Sequence, residues 1–113
     1  MRLGRRKDGP ADPDRRALIE LCLYARDRVS SAAADRIDAG LAELGVRAVR
    51  PDGEAFDPAR HEAASTVPTT DPELHDTVAE TELPGYSDRG EVIRVPVVAV
   101  YRLETESDEE PAG

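Results

Sequence analysis

The sequence predicts an α+β fold in which a short pair of helices is followed by a small, mostly antiparallel β-domain. Apolar residues recur at helical spacing between residues 14 and 44, which is typical of amphipathic helices. Beyond residue 46, short runs of β-forming residues alternate with turns rich in Pro and Gly. The expected organisation is a disordered basic tail (1–11), a helical dimerisation segment (12–45), a β-domain (46–103) and a disordered acidic tail (104–113).

The first helix should begin near Asp12, which can cap it, with Pro13 at the first helical position. Apolar residues then follow at helical spacing, at Leu18, Leu21, Cys22, Ala25 and Val29. A second helical pattern covers about residues 32–44 and should end at Gly45. Ser30 and Ser31 could cap it after a turn, but one continuous helix also fits, since neither Gly nor Pro intervenes. Because Ile19, Leu23 and Tyr24 make the first helix apolar on more than one side, we expect a homodimer.

The β-domain should contain short strands at 48–50, 62–67 and 77–83, followed by a long strand at 92–103. Pro96 lies inside that last strand and cannot donate a ladder hydrogen bond, so it should mark an edge or a bulge. Turns are expected at 84–85 and 87–90, with Gly85 supplying a turn conformation and Tyr86 packing against the last strand.

Composition and charge exclude several classes of function. The formal net charge of −9 argues against binding to the phosphate backbone of a nucleic acid and against an anionic membrane surface. No apolar run reaches the roughly 18 residues of a membrane span, and no signal peptide is visible. Cys22 is the only cysteine, so neither an internal disulfide nor a cysteine metal site can form. We therefore expect a cytoplasmic protein that uses no metal and no cofactor.

Catalytic chemistry is not expected. The only histidines are His61 and His75, and they form no zinc-binding motif with neighbouring residues. Cys22 lies on a helical apolar stripe, which predicts a buried packing residue rather than a nucleophile. The glycines are isolated turn residues and form no phosphate-binding loop. Without a convergent set of reactive groups, the chain is predicted not to be an enzyme.

One ordered series of residues carries a resemblance. Phe-Asp-Pro-Ala-Arg-His-Glu-Ala occupies positions 56–63, and a spacer then leads to Gly85 and Tyr86. A final strand opens with Ile93 and Arg94 and runs on to Val100. This series resembles the C-terminal β-domain of the GrpE family, the nucleotide exchange factors of DnaK-type chaperones. It covers about half of the chain.

The resemblance implies a homodimer in which one β-domain binds the ATPase domain of a DnaK-type chaperone and promotes ADP release. Such a co-chaperone would act in protein folding and the stress response. The partner-binding positions carried over are Phe56, Pro58, Glu91 and Val100. The positions of the structural motif are Asp57, His61, Ala63, Gly85, Tyr86 and Arg94. We expect the His61 side chain to form a hydrogen bond within the loop that contains it.

Departures from the family pattern leave a second hypothesis open. Few residues precede the first expected helix, so the resemblance implies a short, divergent member that lacks the family's long helical stalk. Glu91 occupies a position that is usually basic, which suggests a chaperone whose facing surface carries a base. The alternative is therefore a GrpE-like adaptor or regulatory module that binds without exchange activity. Which chaperone is the partner is left open.

Overall fold

This computed structural model describes residues 12–104, which contain two helices and six strands. In order they are α1 Pro13–Arg26, α2 Ser31–Glu43, β1 Val46–Val49, β2 Glu62–Thr69, β3 Val78–Leu83, β4 Gly85–Asp88, β5 Glu91–Arg94 and β6 Val97–Leu103. The predicted α+β class is confirmed. The tails expected at residues 1–11 and 104–113 lie outside the described residues, apart from Glu104.

Side-chain caps fix the start of both helices. Asp12 Oδ1 accepts hydrogen bonds from the N–H groups of Asp14 (2.9 Å) and Arg15 (3.4 Å), and Pro13 occupies the first turn. Ser30 Oγ accepts the N–H of Ala33 at 3.2 Å and begins α2. Residues 27–30 form a turn between the helices, which excludes the alternative of one continuous helix.

The chain divides into two units, and the first contains the described residues 12–49 and 85–94. Its sheet has the order β1-β4-β5, with antiparallel pairing throughout. Both helices and all three strands contribute to one buried cluster, formed by Ile19, Leu23, Leu41, Val46, Tyr86 and Ile93. The boundary predicted at residue 46 does not coincide with this division, because β1, β4 and β5 share a core with the helices.

The second unit contains residues 50–84 and 95–104. Its sheet has the order β2-β6-β3, in which β6 is central, parallel to β2 and antiparallel to β3. Val78 of β3 packs with Val98 and Val100 of β6, and Phe56 packs against this cluster. In the described chain only β2 and β6 pair in parallel, so the expectation of a mostly antiparallel domain is confirmed.

The predicted long strand at 92–103 is wrong, because the chain breaks at Pro96 into β5 and β6, which belong to different units. Proline has no N–H to donate, and its carbonyl instead accepts the N–H of Glu62 at 2.9 Å. The turn conformation predicted for Gly85 is also wrong, since Gly85 begins β4, pairs with Val49 and does not have a positive φ. The turn predicted at residues 87–90 is confined to Arg89 and Gly90, which both have positive φ.

The burial predicted for Cys22 is wrong as well: its side chain is exposed. Neither described helix is long and apolar enough to cross a membrane. Within residues 12–104, no group of three or more His, Cys, Asp or Glu side chains is arranged to hold a metal ion.

Candidate functional site

Residues 57–61 form a tight turn, here called the 57–61 turn, that is closed by its own hydrogen bonds. The Asp57 carbonyl accepts the N–H groups of Arg60 and His61, both at 2.9 Å. Asp57 Oδ1 accepts the N–H of Ala59 at 3.0 Å, which is the local bond that favours aspartate in turns. Pro58 fixes φ at the position where such turns need it. Sequence and geometry therefore agree on a rigid segment.

His61 is the side chain that completes this turn. Its Nδ1 accepts the N–H of Asp57 at 3.0 Å, so the predicted hydrogen bond within the loop is confirmed. A neutral imidazole that accepts through Nδ1 carries its proton on Nε2. The residue is 8% exposed, and its ring centroid lies 5.8 Å from that of Phe56, at an interplanar angle of 42°. His61 thus contacts the turn through its acceptor atom and Phe56 through its ring.

The predicted partner-binding residues of the second unit differ in exposure. Pro58 is exposed at the tip of the turn, and Phe56 is half-buried. The Phe56 N–H donates to the Asp76 carbonyl at 2.8 Å, which anchors the residue before the turn. Val100 is 2% exposed and belongs to the buried cluster against which Phe56 packs. The surface offered to solvent is therefore Pro58 with the open part of the Phe56 ring.

A second turn in the same unit repeats the pattern Asp-Pro-x-x-His, at residues 71–75. Asp71 Oδ1 accepts the N–H of Glu73 at 2.9 Å, as Asp57 does in the first turn. His75, however, forms its hydrogen bond outside this turn: its Nδ1 accepts the N–H of Leu103, at the end of β6, at 3.0 Å. The repeated five-residue pattern is the sequence signal for this turn, which was not among the predicted site residues.

Glu91, the fourth predicted contact, lies in the first unit and begins β5. Its side chain is exposed, and Oε2 lies 3.9 Å from Nη1 of Arg16. Arg16 also binds Glu20 Oε2 at 3.0 Å and the Ile93 carbonyl at 3.1 Å. An exposed ion pair of this length contributes little to stability, so the Glu91 carboxylate is held only loosely.

Tyr86 and Arg94 lie in a polar network of the first unit. The buried Tyr86 hydroxyl donates to Asp38 Oδ1 at 2.5 Å, and Arg26 Nε also donates to that oxygen at 3.1 Å. Arg94 binds both Asp27 oxygens, at 2.8 and 3.0 Å, and lies 5.2 Å from the Tyr86 ring centroid. Burial, together with the Asp38 hydrogen bond, raises the pKa of Tyr86. The hydrogen bonds from Arg94 lower the pKa of Asp27.

A second buried pair joins α1 to β4. Asp88 is fully buried, and Arg15 donates to its two oxygens from Nε (2.8 Å) and Nη2 (3.0 Å). Arg15 Nη2 also donates to the Leu44 carbonyl at 2.6 Å, beyond the end of α2. The hydrogen bonds from Arg15 lower the pKa of Asp88 and raise that of Arg15 itself.

Neither the Arg15–Asp88 pair nor the Arg26–Asp38 pair was predicted, although the sequence contains a signal for both. Arg15 lies four residues before Ile19, and Arg26 three residues after Leu23, so both arginines fall on the buried face of α1. A charge on an apolar helix face requires a partner inside the fold. The pattern therefore predicts that buried acids exist, but not which acids they are.

The structure divides the predicted site residues between the two units. The second unit holds Phe56, Asp57, Pro58, His61, Ala63 and Val100, with Ala63 exposed on β2 opposite Val98. The first unit holds Gly85, Tyr86, Glu91 and Arg94. Within the second unit, the 57–61 turn and Phe56 form one continuous surface element, and this element is the candidate partner site.

Comparison with known proteins gives one family. The GrpE family model matches residues 31–102, which is more than half of the chain. Protein GrpE of Natronomonas pharaonis is 36% identical over 100 residues, covering 74% of this chain and 45% of that protein. Protein GrpE of Chromohalobacter salexigens is 45% identical over 60 residues, with 53% and 28% covered. That of Limosilactobacillus reuteri is 33% identical over 66 residues, with 58% and 35% covered. The chain thus spans less than half the length of each of these relatives.

Proposed function

Because this chain belongs to the GrpE family, we propose that it is a co-chaperone that binds the nucleotide-binding domain of a DnaK-type chaperone and promotes ADP release. The observation that carries the proposal is the match over residues 31–102, which includes the 57–61 turn, Glu91 and Val100. The mechanism requires no covalent chemistry. A cytoplasmic location stays a prediction that depends on this partner.

The geometry of the 57–61 turn supports a role in docking. A segment held by its own hydrogen bonds loses little conformational entropy on binding, which favours affinity. Pro58 and the open part of Phe56 supply a small apolar contact on an otherwise acidic chain. Val100 acts in this proposal through Phe56, whose position it supports from the core.

Exchange in this proposal is a linkage effect. The factor binds the chaperone conformation with an open nucleotide cleft more tightly than the closed one, and this difference in affinity sets the largest shift it can impose. Each tenfold loss of ADP affinity requires about 1.4 kcal/mol of that difference. By reciprocity, bound ADP should weaken the complex by the same factor.

The test is stopped-flow release of a fluorescent ADP analogue from the DnaK-type chaperone of the same organism. We expect the wild-type chain to accelerate release, and Pro58→Glu to reduce that acceleration by about tenfold, because a charge then replaces an apolar contact. Pro72→Glu is the matched control, since Pro72 is also exposed and follows an aspartate in a turn of the same unit. Unchanged ADP release with every such chaperone would refute the proposal.

The adaptor hypothesis makes a different prediction in the same experiment. It is favoured by the loosely paired acidic side chain of Glu91 at a position that is usually basic in the family. If the chain binds the chaperone tightly but leaves the release rate unchanged, it is a binding module without exchange activity. Glu91→Arg should then restore acceleration if this charge is the cause.

We also propose that the chain forms a homodimer through an apolar stripe on the helices, defined here as Leu18, Leu21, Cys22 and Leu44. Leu18 is 65% exposed, Leu21 63% and Leu44 61%. Leu18, Cys22 and Leu44 line a groove of about 380 Å³ in the first unit. Exposed apolar patches of this kind are typical of protein interfaces, and a second copy could bury the stripe against itself.

A further inference from the structure

The peptide group between Phe56 and Asp57 is held by one side chain, His61. The N–H of this peptide group is the Asp57 N–H, which donates to His61 Nδ1 at 3.0 Å. The preceding N–H, that of Phe56, donates to the Asp76 carbonyl at 2.8 Å. The following residue, Pro58, has no N–H to donate. The orientation of the chain between the two proposed contact residues therefore depends on the imidazole acceptor.

We propose that His61 is a positioning residue for partner binding: by accepting the Asp57 N–H it holds Phe56 and Pro58 in the arrangement that a chaperone recognises. The inference rests on the proposed function, because it names how that binding surface is kept in shape. His61 itself is 8% exposed and offers a partner almost no surface. Its effect on affinity must therefore act through the turn.

The cost of losing the acceptor can be bounded. A half-buried N–H left without a partner destabilises the conformation that buries it, so the turn would sample other conformations. When only a fraction of molecules holds the competent conformation, the apparent affinity falls in proportion to that fraction. For one neutral hydrogen bond this corresponds to a loss of roughly threefold to tenfold.

His61 also contacts Phe56 through its ring, and two variants separate the two contributions. In His61→Asn the amide oxygen occupies the position of Nδ1 and can accept the Asp57 N–H, while the ring contact is lost. In His61→Phe an aromatic ring remains, while the acceptor is lost. If the acceptor positions the turn, the asparagine variant keeps most of the affinity and the phenylalanine variant does not.

The repeated pattern at residues 71–75 supplies a matched control. His75 also accepts a main-chain N–H through Nδ1 at 3.0 Å, but its donor is Leu103 at the end of β6. His75→Phe therefore removes the same kind of hydrogen bond from the same unit. It leaves every hydrogen bond of the 57–61 turn in place, and the neighbouring Asp76 carbonyl that accepts the Phe56 N–H is a main-chain group that the substitution does not replace. A general loss of stability would appear in both phenylalanine variants, whereas loss of positioning would appear only at His61.

The experiment measures the Kd of the full chain for the DnaK-type chaperone by calorimetry, the Tm of each variant, and hydrogen exchange of the Asp57 amide by NMR. We expect His61→Phe to weaken binding roughly threefold to tenfold and to speed Asp57 exchange by a similar factor. His61→Asn should stay within about twofold of the wild type in both. His75→Phe should lower the Tm but leave the Kd unchanged.

Three results would overturn the inference while leaving the proposed function intact. They are wild-type affinity in His61→Phe, equal losses in His61→Asn and His61→Phe, and an equal loss in His75→Phe. A wild-type chain that binds no DnaK-type chaperone would overturn the proposed function itself, and the positioning role with it. Faster Asp57 exchange in His61→Phe, with binding lost in parallel and rescued by asparagine, would establish the role.

Discussion

Two of the ion pairs inside the first unit join elements that are distant in the chain. Arg15 and Asp88 are 73 positions apart and connect α1 to β4, while Arg94 and Asp27 are 67 apart and connect β5 to the end of α1. Breaking a buried pair costs more than its formation contributes, because the remaining charge loses its partner. These residues should therefore dominate the response of the first unit to mutation and to acid.

Asp88→Asn is expected to lower the free energy of unfolding by about 2 kcal/mol at pH 7, since Arg15 loses a buried anion. The wild type should also lose stability as the pH falls below about 4, the ordinary range for aspartate. The folded-state pKa of Asp88 lies below its usual value, so the unfolded chain binds more protons there and stability rises with pH.

Urea unfolding at pH 7 and at pH 3 checks both effects. Asp35→Asn, on the exposed side of α2, is the control for net charge. It should change the free energy of unfolding appreciably neither at pH 7 nor at pH 3. If Asp88→Asn leaves the wild-type slope of stability against pH intact, Asp88 is not the source of the acid sensitivity. Asp27, whose pKa is also lowered, would then be the group to test.

Tyr86→Phe should cost about 1–2 kcal/mol of unfolding free energy, because it removes the buried hydrogen bond to Asp38 and leaves the ring in place. The cost stays moderate because Arg26 still binds the Asp38 carboxylate. Tyr101→Phe, in the second unit, controls for loss of a hydroxyl. Equal stability of Tyr86→Phe and the wild type in denaturant titration would contradict this prediction.

Local patterns predicted the residues that act on their neighbours, and missed those that act at a distance. The hydrogen bond of His61 within its loop was predicted, because Asp57 and Pro58 mark a turn whose partner is four residues away. The Arg15–Asp88 pair was not, since helical periodicity identifies a charge on an apolar face but carries no information about a strand 73 positions later. Partner contacts of Phe56, Pro58, Glu91 and Val100 stay predictions.

At the scale of the elements, the end of α2 depends on a left-handed residue. Gly45 has φ +92°, and a Cβ there would lie 3.1 Å from Arg89 Cγ. Its carbonyl accepts the Arg89 N–H at 2.9 Å, which ties the helix end to the β4–β5 turn. Glycine adopts this conformation without steric cost, whereas other residues do not.

Gly45→Ala should therefore destabilise the chain by about 1–2 kcal/mol. Gly40→Ala is the informative counterpart, because Gly40 lies inside α2 and its added Cβ would meet only the end of the Arg36 side chain, at 3.4 Å. Alanine in a helix interior is favoured over glycine, so this variant should gain roughly 0.5–1 kcal/mol. Thermal melts of the two variants should shift in opposite directions, and a shared direction would contradict the assignment.

Helix boundaries were more predictable than strand boundaries. Caps and Pro13 are local signals: α1 begins where they predicted, and α2 begins after Ser30, as one of the two alternatives left open by the sequence predicted. The valine-rich run at 92–103 has the composition of one strand except at Pro96, and the chain divides it between two sheets at that residue. Propensity reports that a segment can be extended, but strand partners are fixed by packing far away in the sequence.

At the scale of the whole molecule, the proposed dimerisation through the apolar stripe predicts how the reactivity of Cys22 depends on protein concentration. Cys22 is exposed in the single chain and would be covered in a dimer. Its modification by a thiol reagent should therefore slow as the protein concentration rises. Leu18→Asp should abolish this dependence and give a monomer in sedimentation, because a charge cannot be buried in an apolar interface without a partner.

Ala39→Asp, on the exposed side of α2, controls for the added charge. It should retain the association of the wild type if the interface is confined to the stripe. A wild-type chain that sediments as a monomer at high micromolar concentration would contradict the dimer altogether.

The order of the strands has a consequence for a chain that is still being made on the ribosome. α1, α2 and β1 emerge first, but their sheet partners β4 and β5 follow only after residues 50–84. At about 5–20 residues per second, that interval lasts roughly two to seven seconds. The central strand of the other sheet, β6, emerges later still. During synthesis the apolar face of the helices therefore lacks its packing partners Tyr86 and Ile93, and we expect nascent chains to be most prone to aggregate in that period.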